Sequence, residues 1–224
     1  MAILHDYKID TGTFNMDEDS RLLDNAITNE IKEPIVRLYG WKPACVSLGR
    51  NQSEESINSE FCKKQGIDIV RRITGGRALL HDKELTYSFI CPISFLENGE
   101  SVILSYKEIS GALIAGMKKV GVELEFPQNK KACTKFDYCM SLSTGADLSY
   151  KGKKLIGSAQ CRKRGYILQH GSILLDYDKK NLEAIFNEKV DENSIISLKE
   201  INKDITLDDL IQAVTSGFKE FCTK

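Results

Sequence analysis

Seven cysteines and three histidines carry the most reactive side-chain chemistry in this 224-residue sequence. The cysteines stand at positions 45, 62, 91, 133, 139, 161 and 222, and no Cys-x-x-Cys pair occurs among them. Zinc cages need closely spaced ligand pairs and disulfide frameworks need paired cysteines, so this pattern fits neither. The thiols are therefore expected to be free, and the open question is whether one of them is a nucleophile.

Four short segments combine basic or polar side chains with glycines, where a backbone can approach a ligand closely. They are Arg71-Arg72-Ile73-Thr74-Gly75-Gly76-Arg77, His81-Asp82, Gly157-Ser158-Ala159-Gln160 and Gln169-His170-Gly171-Ser172. Arginine favours anion recognition, and small residues after a lysine-bearing strand leave room for an acyl chain. Each segment alone also fits a structural role, such as a hairpin turn, a solvated hairpin or a core network. The sequence contains neither a Rossmann nor a P-loop glycine pattern.

Hydrophobic periodicity predicts the elements that position these segments. Helices are predicted at 15–30, 53–64 and 105–120, with two more closing the chain. Asn15 is the predicted cap of the first helix, Gly66 ends the second, and Thr206 with Asp209 caps the last. Strands are predicted at 35–39, 45–48, 67–70, 78–80, 86–90, 146–150, 155–156, 166–168 and 172–175.

The irregular alternation of helices and strand pairs predicts an α+β fold with a mixed sheet, built as one domain over residues 1–224. With 31 basic and 32 acidic residues the net charge is -1, which argues against a protein that coats nucleic acid. The polar N-terminus does not resemble a secretory leader, and no apolar run is long enough to span a membrane. We therefore expect a cytoplasmic protein that binds neither membrane nor nucleic acid.

Three longer stretches contain the four segments in order: RRITGGRALLHDKELTYS, KGKKLIGSAQ and ILQHGSILL. With the upstream VRLYGWKPACVSLGRNQ, they resemble the biotin/lipoate protein ligase superfamily over roughly residues 15–180. The resemblance implies a biotin/lipoate protein ligase-like catalytic domain with one acyl-binding tunnel.

Two activities compete within that superfamily. Lipoate ligases activate lipoate with ATP, whereas octanoyltransferases take octanoyl from acyl carrier protein through a cysteine thioester and need no cofactor. Bacterial ligases typically carry a third glycine where this sequence has Arg77, and an asparagine-rich segment where it has Glu84-Leu85-Thr86-Tyr87-Ser88. Both differences resemble octanoyltransferases of the LipM type. An ATP-dependent lipoate ligase, with or without a separate accessory chain, is the alternative, and a non-catalytic acyl-binding homologue is a third possibility.

The resemblance also implies the catalytic residues. The LipM-type nucleophile precedes the family lysine by 15 residues, which matches Cys139 with Lys154, and Cys133 is the second choice. A thiol is mostly protonated at neutral pH, and a nearby ammonium favours the thiolate or accepts its proton. Backbone N–H groups of Gly75-Gly76 or of Ser158-Ala159 are candidate oxyanion donors.

The matched motifs imply a set of substrate-binding residues and no metal ligand. The set is Arg71, Arg72, Gly75, Gly76, Arg77, His81, Gly157, Ser158, Ala159, Gln160 and His170. The implied partners are octanoyl-acyl carrier protein and the lipoyl domains of the glycine-cleavage H protein or of 2-oxoacid dehydrogenase subunits.

Local charge fits those partners. Residues 130–164 contain nine Lys or Arg against Asp137 and Asp147, a net charge of +7. Acyl carrier and lipoyl domains are typically acidic, so a basic rim is expected to steer them to the site. A solvated loop and hairpin would carry the same charges. Aromatic residues are scattered among the basic ones, so nucleic-acid binding is a third hypothesis, with less support than the other two.

Overall fold

Two β-sheets and six α-helices make up the part of the chain that the computed structural model describes, residues 2–127 and 147–223. The larger sheet has the strand order β1-β2-β6-β9-β8-β7 and the smaller sheet has the order β4-β3-β5. The strands are β1 (Ile3–Asp10), β2 (Ile35–Trp41), β3 (Cys45–Leu48), β4 (Asp68–Arg71), β5 (Leu79–His81), β6 (Glu84–Pro92), β7 (Leu148–Tyr150), β8 (Lys153–Lys163) and β9 (Tyr166–Leu174). The helices are α1 (Gly12–Thr28), α2 (Ser59–Gln65), α3 (Val102–Lys119), α4 (Lys179–Phe186), α5 (Leu198–Ile201) and α6 (Leu207–Phe221). Both sheets mix parallel and antiparallel pairs, so the predicted mixed-sheet α+β fold is confirmed.

The two central strands of the large sheet, β6 and β9, are buried along their whole length. On one face Phe218 of α6 stacks on Phe89 at 5.4 Å between ring centroids. On the other face α1 packs Leu22 and Leu23 beside Leu168. Polar and apolar residues alternate along β6 from Glu84 to Phe89, which is why this strand is visible in the sequence.

Three sequence predictions need correction. The first helix is capped by Thr11, whose hydroxyl accepts from the N–H of Phe14, and not by Asn15. Asn15 instead lies buried one turn into the helix, where its amide donates to the carbonyl of Gly40 at 3.0 Å. Residues 53–64 form a 3₁₀ turn followed by α2 rather than one helix, although Gly66 ends α2 as predicted, with φ of 66°.

The third correction concerns the segment Gln169–Ser172, which was expected to separate two strands. It lies inside the single strand β9, paired residue by residue with β6 and β8. Polar residues are tolerated there because they have hydrogen-bond partners: Gln169 bonds to Tyr87 and Gln160 of the neighbouring strands, and His170 bonds to Asp19 and Thr74 outside the sheet. The polar cluster therefore faces the interior of the molecule from the centre of the sheet.

Strand β1 has no counterpart among the predicted elements. It lies at the edge of the large sheet and leaves Ile3, Leu4 and Ile9 exposed, so its sequence lacks the apolar alternation of a half-buried strand. Among the helices of the described residues, none combines the length and apolar character that a bilayer crossing requires.

Candidate active site

A narrow cavity lies between the small sheet and the α1 face of the large sheet. The space that the centre of a water molecule can reach inside it is about 50 Å³, and its wall is mostly apolar. It is lined by Met16, Tyr39, Trp41, Ser47, Arg72, Gly76, Leu79, His81, Thr86, Gly157, Ser158, Ala159, His170, Gly171 and Ser172. Nine of these residues come from β8, β9, β6 and β2 of the large sheet, so the cavity runs across four neighbouring strands; the others come from α1, the small sheet and the turn after β4.

The two ends of the cavity differ in exposure. At the β2 end Trp41 is buried, stacks on His81 at 3.9 Å between ring centroids, and donates its indole N–H to Thr86 at 2.8 Å. At the β8 end Ser158 and Ala159 are partly exposed. The cavity is therefore closed by rings at β2 and open to solvent at β8.

Gly171 keeps the floor of the cavity compact. A Cβ atom at this position would lie 2.6 Å from the carbonyl oxygen of Gly157 and 2.7 Å from the Tyr87 ring, closer than such atoms approach. The Tyr87 hydroxyl bonds to the Ser158 hydroxyl at 2.7 Å and accepts from the amide of Gln169 at 3.0 Å. The missing side chain thus lets Tyr87 tie β6 to β8 directly under the open end.

His170 connects the cavity to a buried carboxylate. Its Nδ1 lies 2.9 Å from Asp19 of α1, and its Nε2 lies 2.7 Å from the Thr74 hydroxyl. Asp19 also accepts from Arg37 at 3.1 Å and from Tyr39 at 2.8 Å. The carboxylate on Nδ1 makes that nitrogen a donor, while Nε2 forms a hydrogen bond with the Thr74 hydroxyl. The network fastens the turn at 74–76 to β9, β2 and α1.

His81 is held by a second network of the same kind. Its Nε2 lies 2.7 Å from the Ser47 hydroxyl, and its Nδ1 lies 3.4 Å from Glu84, a longer contact. Arg72 donates to the carbonyl of Ser47 at 2.7 Å and to that of Gly75 at 2.9 Å. Burial lowers the pKa of His81 and the Arg72 charge lowers it further, against the opposing effect of Glu84. His81 is therefore neutral at pH 7 and acts as a hydrogen-bonding group.

The Asp19 network makes the stability of the protein depend on pH in the acidic range. Burial alone would raise the pKa of Asp19, but hydrogen bonds from His170 and Tyr39 and the Arg37 charge outweigh it and lower that pKa. The unfolded chain then binds the proton at higher pH than the folded chain, so Asp19 stabilises the fold above about pH 4. This contribution is lost as the pH falls through the folded-state pKa.

We expect the wild type to lose more free energy of unfolding between pH 5 and pH 3 than Asp19→Asn, measured by urea titration. Equal losses would contradict it.

Lys154 lies at the start of β8 and is 1% exposed. Its ammonium lies 2.9 Å from the buried carboxylate of Asp147, the residue before β7. The chain places Lys154 there by pairing β8 with β7 and by hydrogen bonds between its backbone and residues 194 and 196. A buried lysine needs a carboxylate partner to remain charged, and Asp147 provides it.

The structure brings most of the predicted substrate-binding residues together. Seven line the cavity: Arg72, Gly76, His81, Gly157, Ser158, Ala159 and His170. Four others lie beside the cavity without lining it: Arg71, Gly75, Arg77 and Gln160. Lys154 does not line it either. The predicted nucleophile Cys139 and its alternative Cys133 lie outside the described residues.

Four of the five described cysteines have the structural role expected of them. Burial raises the pKa of the thiols of Cys45, Cys62 and Cys91, and raises that of Cys222 to about 11. These thiols are therefore protonated at neutral pH and unsuited to nucleophilic attack. Cys161 is the exception in exposure, since it is only partly buried.

The predicted basic rim is smaller than the sequence indicated. Lys154 belongs to the rim by sequence but is buried, and Lys163 pairs with Asp24 at 2.6 Å. The +7 count omits Asp24, a charged partner from a distant part of the chain, so it overestimates the free surface charge.

Residues that the sequence did not single out complete the site. Asp19, Ser47, Glu84 and Asp147 supply the partners of His170, His81 and Lys154. The Asp19–His170 and Ser47–His81 contacts join residues far apart in the chain, so local patterns carry no signal for them. Trp41 had one signal, because it is the single tryptophan of the sequence.

The family model described as lipoyl protein ligase A/B catalytic domain matches residues 11–219. The octanoyltransferase LipM of Staphylococcus epidermidis is 39% identical over 95% of this chain and 85% of its own length. That of Bacillus subtilis is 36% identical over 94% of this chain and 84% of its own length. The chain therefore belongs to the lipoyl protein ligase A/B catalytic-domain family. Since its curated relatives are octanoyltransferases, it is an enzyme that transfers octanoyl groups.

Solved structures agree on the fold. A lipoate-protein ligase A bound with ATP superposes with a TM-score of 0.77 at 22% identity, covering 99% of this chain and 85% of that one. A bipartite lipoate protein ligase from Thermoplasma acidophilum, described with its E2 lipoyl domain, gives 0.74 at 21% identity over 99% and 84%. The predicted biotin/lipoate protein ligase-like fold is confirmed.

Proposed function

We propose that this enzyme moves octanoyl from acyl carrier protein to a lysine of a lipoyl domain through a thioester on Cys139. The acceptor is the glycine-cleavage H protein or a 2-oxoacid dehydrogenase subunit, the reaction requires no ATP, and it takes place in the cytoplasm. The free thiols of the described cysteines support a reducing compartment.

The observation that carries the proposal is the length and shape of the cavity. Four strands spaced at about 4.8 Å span about 14 Å from β8 to β2. An extended eight-carbon chain is about 9 Å long, by the reach per bond of an extended backbone. The closed apolar end at Trp41 and the open end at Ala159 therefore suit an acyl chain that enters methyl first. Its carbonyl would remain at the open end on β8, the strand that also carries Lys154.

The reaction proceeds in two balanced steps. The Cys139 thiolate attacks the carrier thioester carbonyl, the new carbon–sulfur bond forms, and the carrier thiolate leaves and takes a proton. The neutral amine of the acceptor lysine then attacks octanoyl-Cys139, the carbon–nitrogen bond forms as the carbon–sulfur bond breaks, the nitrogen gives one proton to solvent, and the Cys139 thiolate is released. Lys154 supplies the positive charge that favours the thiolate in both steps, with Asp147 keeping the ammonium charged at 2.9 Å.

A mass measurement tests the thioester. Incubation with octanoyl carrier protein is expected to add one octanoyl group to the wild type, removable by hydroxylamine, and none to Cys139→Ala. Cys222→Ala is the matched control, because Cys222 is a free thiol that lines no part of the cavity, and it should acylate normally. If Cys139→Ala still forms the thioester, the assignment is wrong, and Cys133→Ala decides whether the second choice replaces it. ATP-dependent activation of lipoate in the Cys139 variant would instead establish the ligase alternative.

A further inference from the structure

A second recess lies on the same face of β8, next to the open end of the acyl cavity. It measures about 500 Å³ and is lined by Ser20, Leu23, Asp24, Arg50, Arg71, Arg72, Ile73, Cys161 and Lys163. Residues two apart on a strand face the same side. Gly157 and Ala159 line the acyl cavity, and Cys161 and Lys163 continue that face into the recess. We call this recess the basic basin.

The basin has an excess of positive charge. It contains four cationic side chains and one carboxylate, Asp24, which pairs with Lys163. Arg71 donates to the carbonyls of Gly49 at 2.8 Å and Gln52 at 2.7 Å. Carbonyl oxygens satisfy hydrogen bonds without neutralising a full charge. Within the described chain, neither Arg50 nor Arg71 forms an ion pair with a carboxylate, so both keep an uncompensated charge.

The two arginines are held in place by the backbone of the active site. The N–H of Arg50 donates to the carbonyl of Thr74 at 2.9 Å. Next to it, Gly49 packs so closely on Gly76 that a Cβ would lie 1.8 Å from the Gly76 oxygen. Arg72 lines both the basin and the acyl cavity. The basin is thus fixed relative to the open end of the cavity.

We infer that the basic basin binds the phosphate of the phosphopantetheine arm that carries the octanoyl group. This inference rests on the proposed carrier-protein donor. Arginine pairs match phosphate oxygens with several donors at once. The distance also fits, because Ala159 and Lys163 lie four residues, or about 13 Å, apart along β8. An extended arm spans about 15 Å between sulfur and phosphorus, by the same reach per bond as an extended backbone. With the thioester at the open end, the phosphate reaches the basin.

Direct binding separates this inference from the proposed chemistry. The wild type is expected to bind 4′-phosphopantetheine at least tenfold more tightly than pantetheine by calorimetry. Arg50→Gln and Arg71→Gln should each weaken the phosphorylated ligand about three- to fivefold and leave pantetheine unchanged, as expected for exposed charge pairs. Arg21→Gln is the matched control, since Arg21 is an exposed arginine of α1 that pairs with Glu18 outside the basin. Thermal unfolding verifies that each variant is folded.

Equal binding of the two ligands by the wild type would overturn the phosphate site. So would an Arg50→Gln variant with a weaker interaction with the intact carrier but unchanged binding of phosphopantetheine, because the basin would then recognise the carrier's surface. Enzyme acylation gives the independent readout. If octanoyl-pantetheine and octanoyl-phosphopantetheine acylate equally well, the thioester mechanism holds and the phosphate site fails. If phosphate-dependent binding persists without acylation of the enzyme, the phosphate site holds and the thioester mechanism fails.

Discussion

Lys154→Met is expected to abolish octanoyl transfer and to lower the free energy of unfolding by about 3 to 5 kcal/mol. Lys154 is fully buried and lies 2.9 Å from Asp147. Removing the ammonium takes away the counter-charge 2.9 Å from the buried Asp147 carboxylate, and in the proposed mechanism it also removes the charge that favours the Cys139 thiolate. The two losses are measured separately, by urea unfolding and by the single-turnover rate of enzyme acylation.

The neighbouring lysine is a close control. Lys153 precedes Lys154 on β8 but is partly exposed and donates only to the carbonyl of Glu192 at 2.8 Å. Lys153→Met should change the free energy of unfolding by less than about 1 kcal/mol and preserve acylation.

The double variant Lys154→Met/Asp147→Leu distinguishes folding from catalysis. Replacing a buried ion pair by apolar residues often restores stability. We expect the double variant to recover most of the lost free energy and none of the acylation rate. Recovery of the rate together with stability would show that Lys154 acts only in the fold.

Met16→Phe is expected to remove most of the preference for an eight-carbon donor. Met16 lines the cavity at its closed end, packed with Tyr39 and Trp41, and a rigid ring there would obstruct the far end of the acyl chain. Burial of each methylene contributes about 0.8 kcal/mol, so kcat/KM of the wild type should rise about fourfold per methylene from butyryl to octanoyl carrier. In Met16→Phe this slope should be nearly flat, with the butyryl rate close to that of the wild type, because a short chain does not reach the closed end.

Cys161→Leu serves as the control for that series. Cys161 lies on the same face of β8 as Gly157 and Ala159, but outside the acyl cavity. Added bulk there should therefore leave the dependence on chain length intact. A steep slope in Met16→Phe, or a flat slope in Cys161→Leu, would place the acyl chain elsewhere.

Local patterns predicted the parts of the fold that local forces control. Thr206 and Asp209 form the capping box of α6, and Gly66 adopts the left-handed conformation that ends α2. These features depend on residues within one turn of each other, so they are visible in a short window of sequence. Strand β9 was divided in two because Gln169 and His170 interrupt its apolar run, and only their distant partners explain why they are buried.

The sequence predicted the site residues that belong to a motif, but it did not predict the distant residues that pair with them. Motif resemblance led to His81, His170 and the segment Gly157–Ala159, all of which line the cavity. No pattern in the sequence links His170 to Asp19, which is 151 residues away, or Ser47 to His81. Such pairs exist only after the sheets are assembled, because tertiary packing decides which polar groups lose water together.

The position of β9 in the sheet has a consequence for synthesis of the chain. Strand β6 pairs with β2 on one side and with β9 on the other, yet Glu84 and Leu174, which are paired in the folded sheet, are 90 residues apart. While the ribosome synthesises the residues between them, β6 is an unpaired sheet edge that bears Tyr87 and Phe89, residues that favour association with other strands. Release of residue 174 closes this edge and completes the Asp19–His170 contact together. Assembly of the site and protection of the nascent sheet from aggregation therefore depend on the same late event.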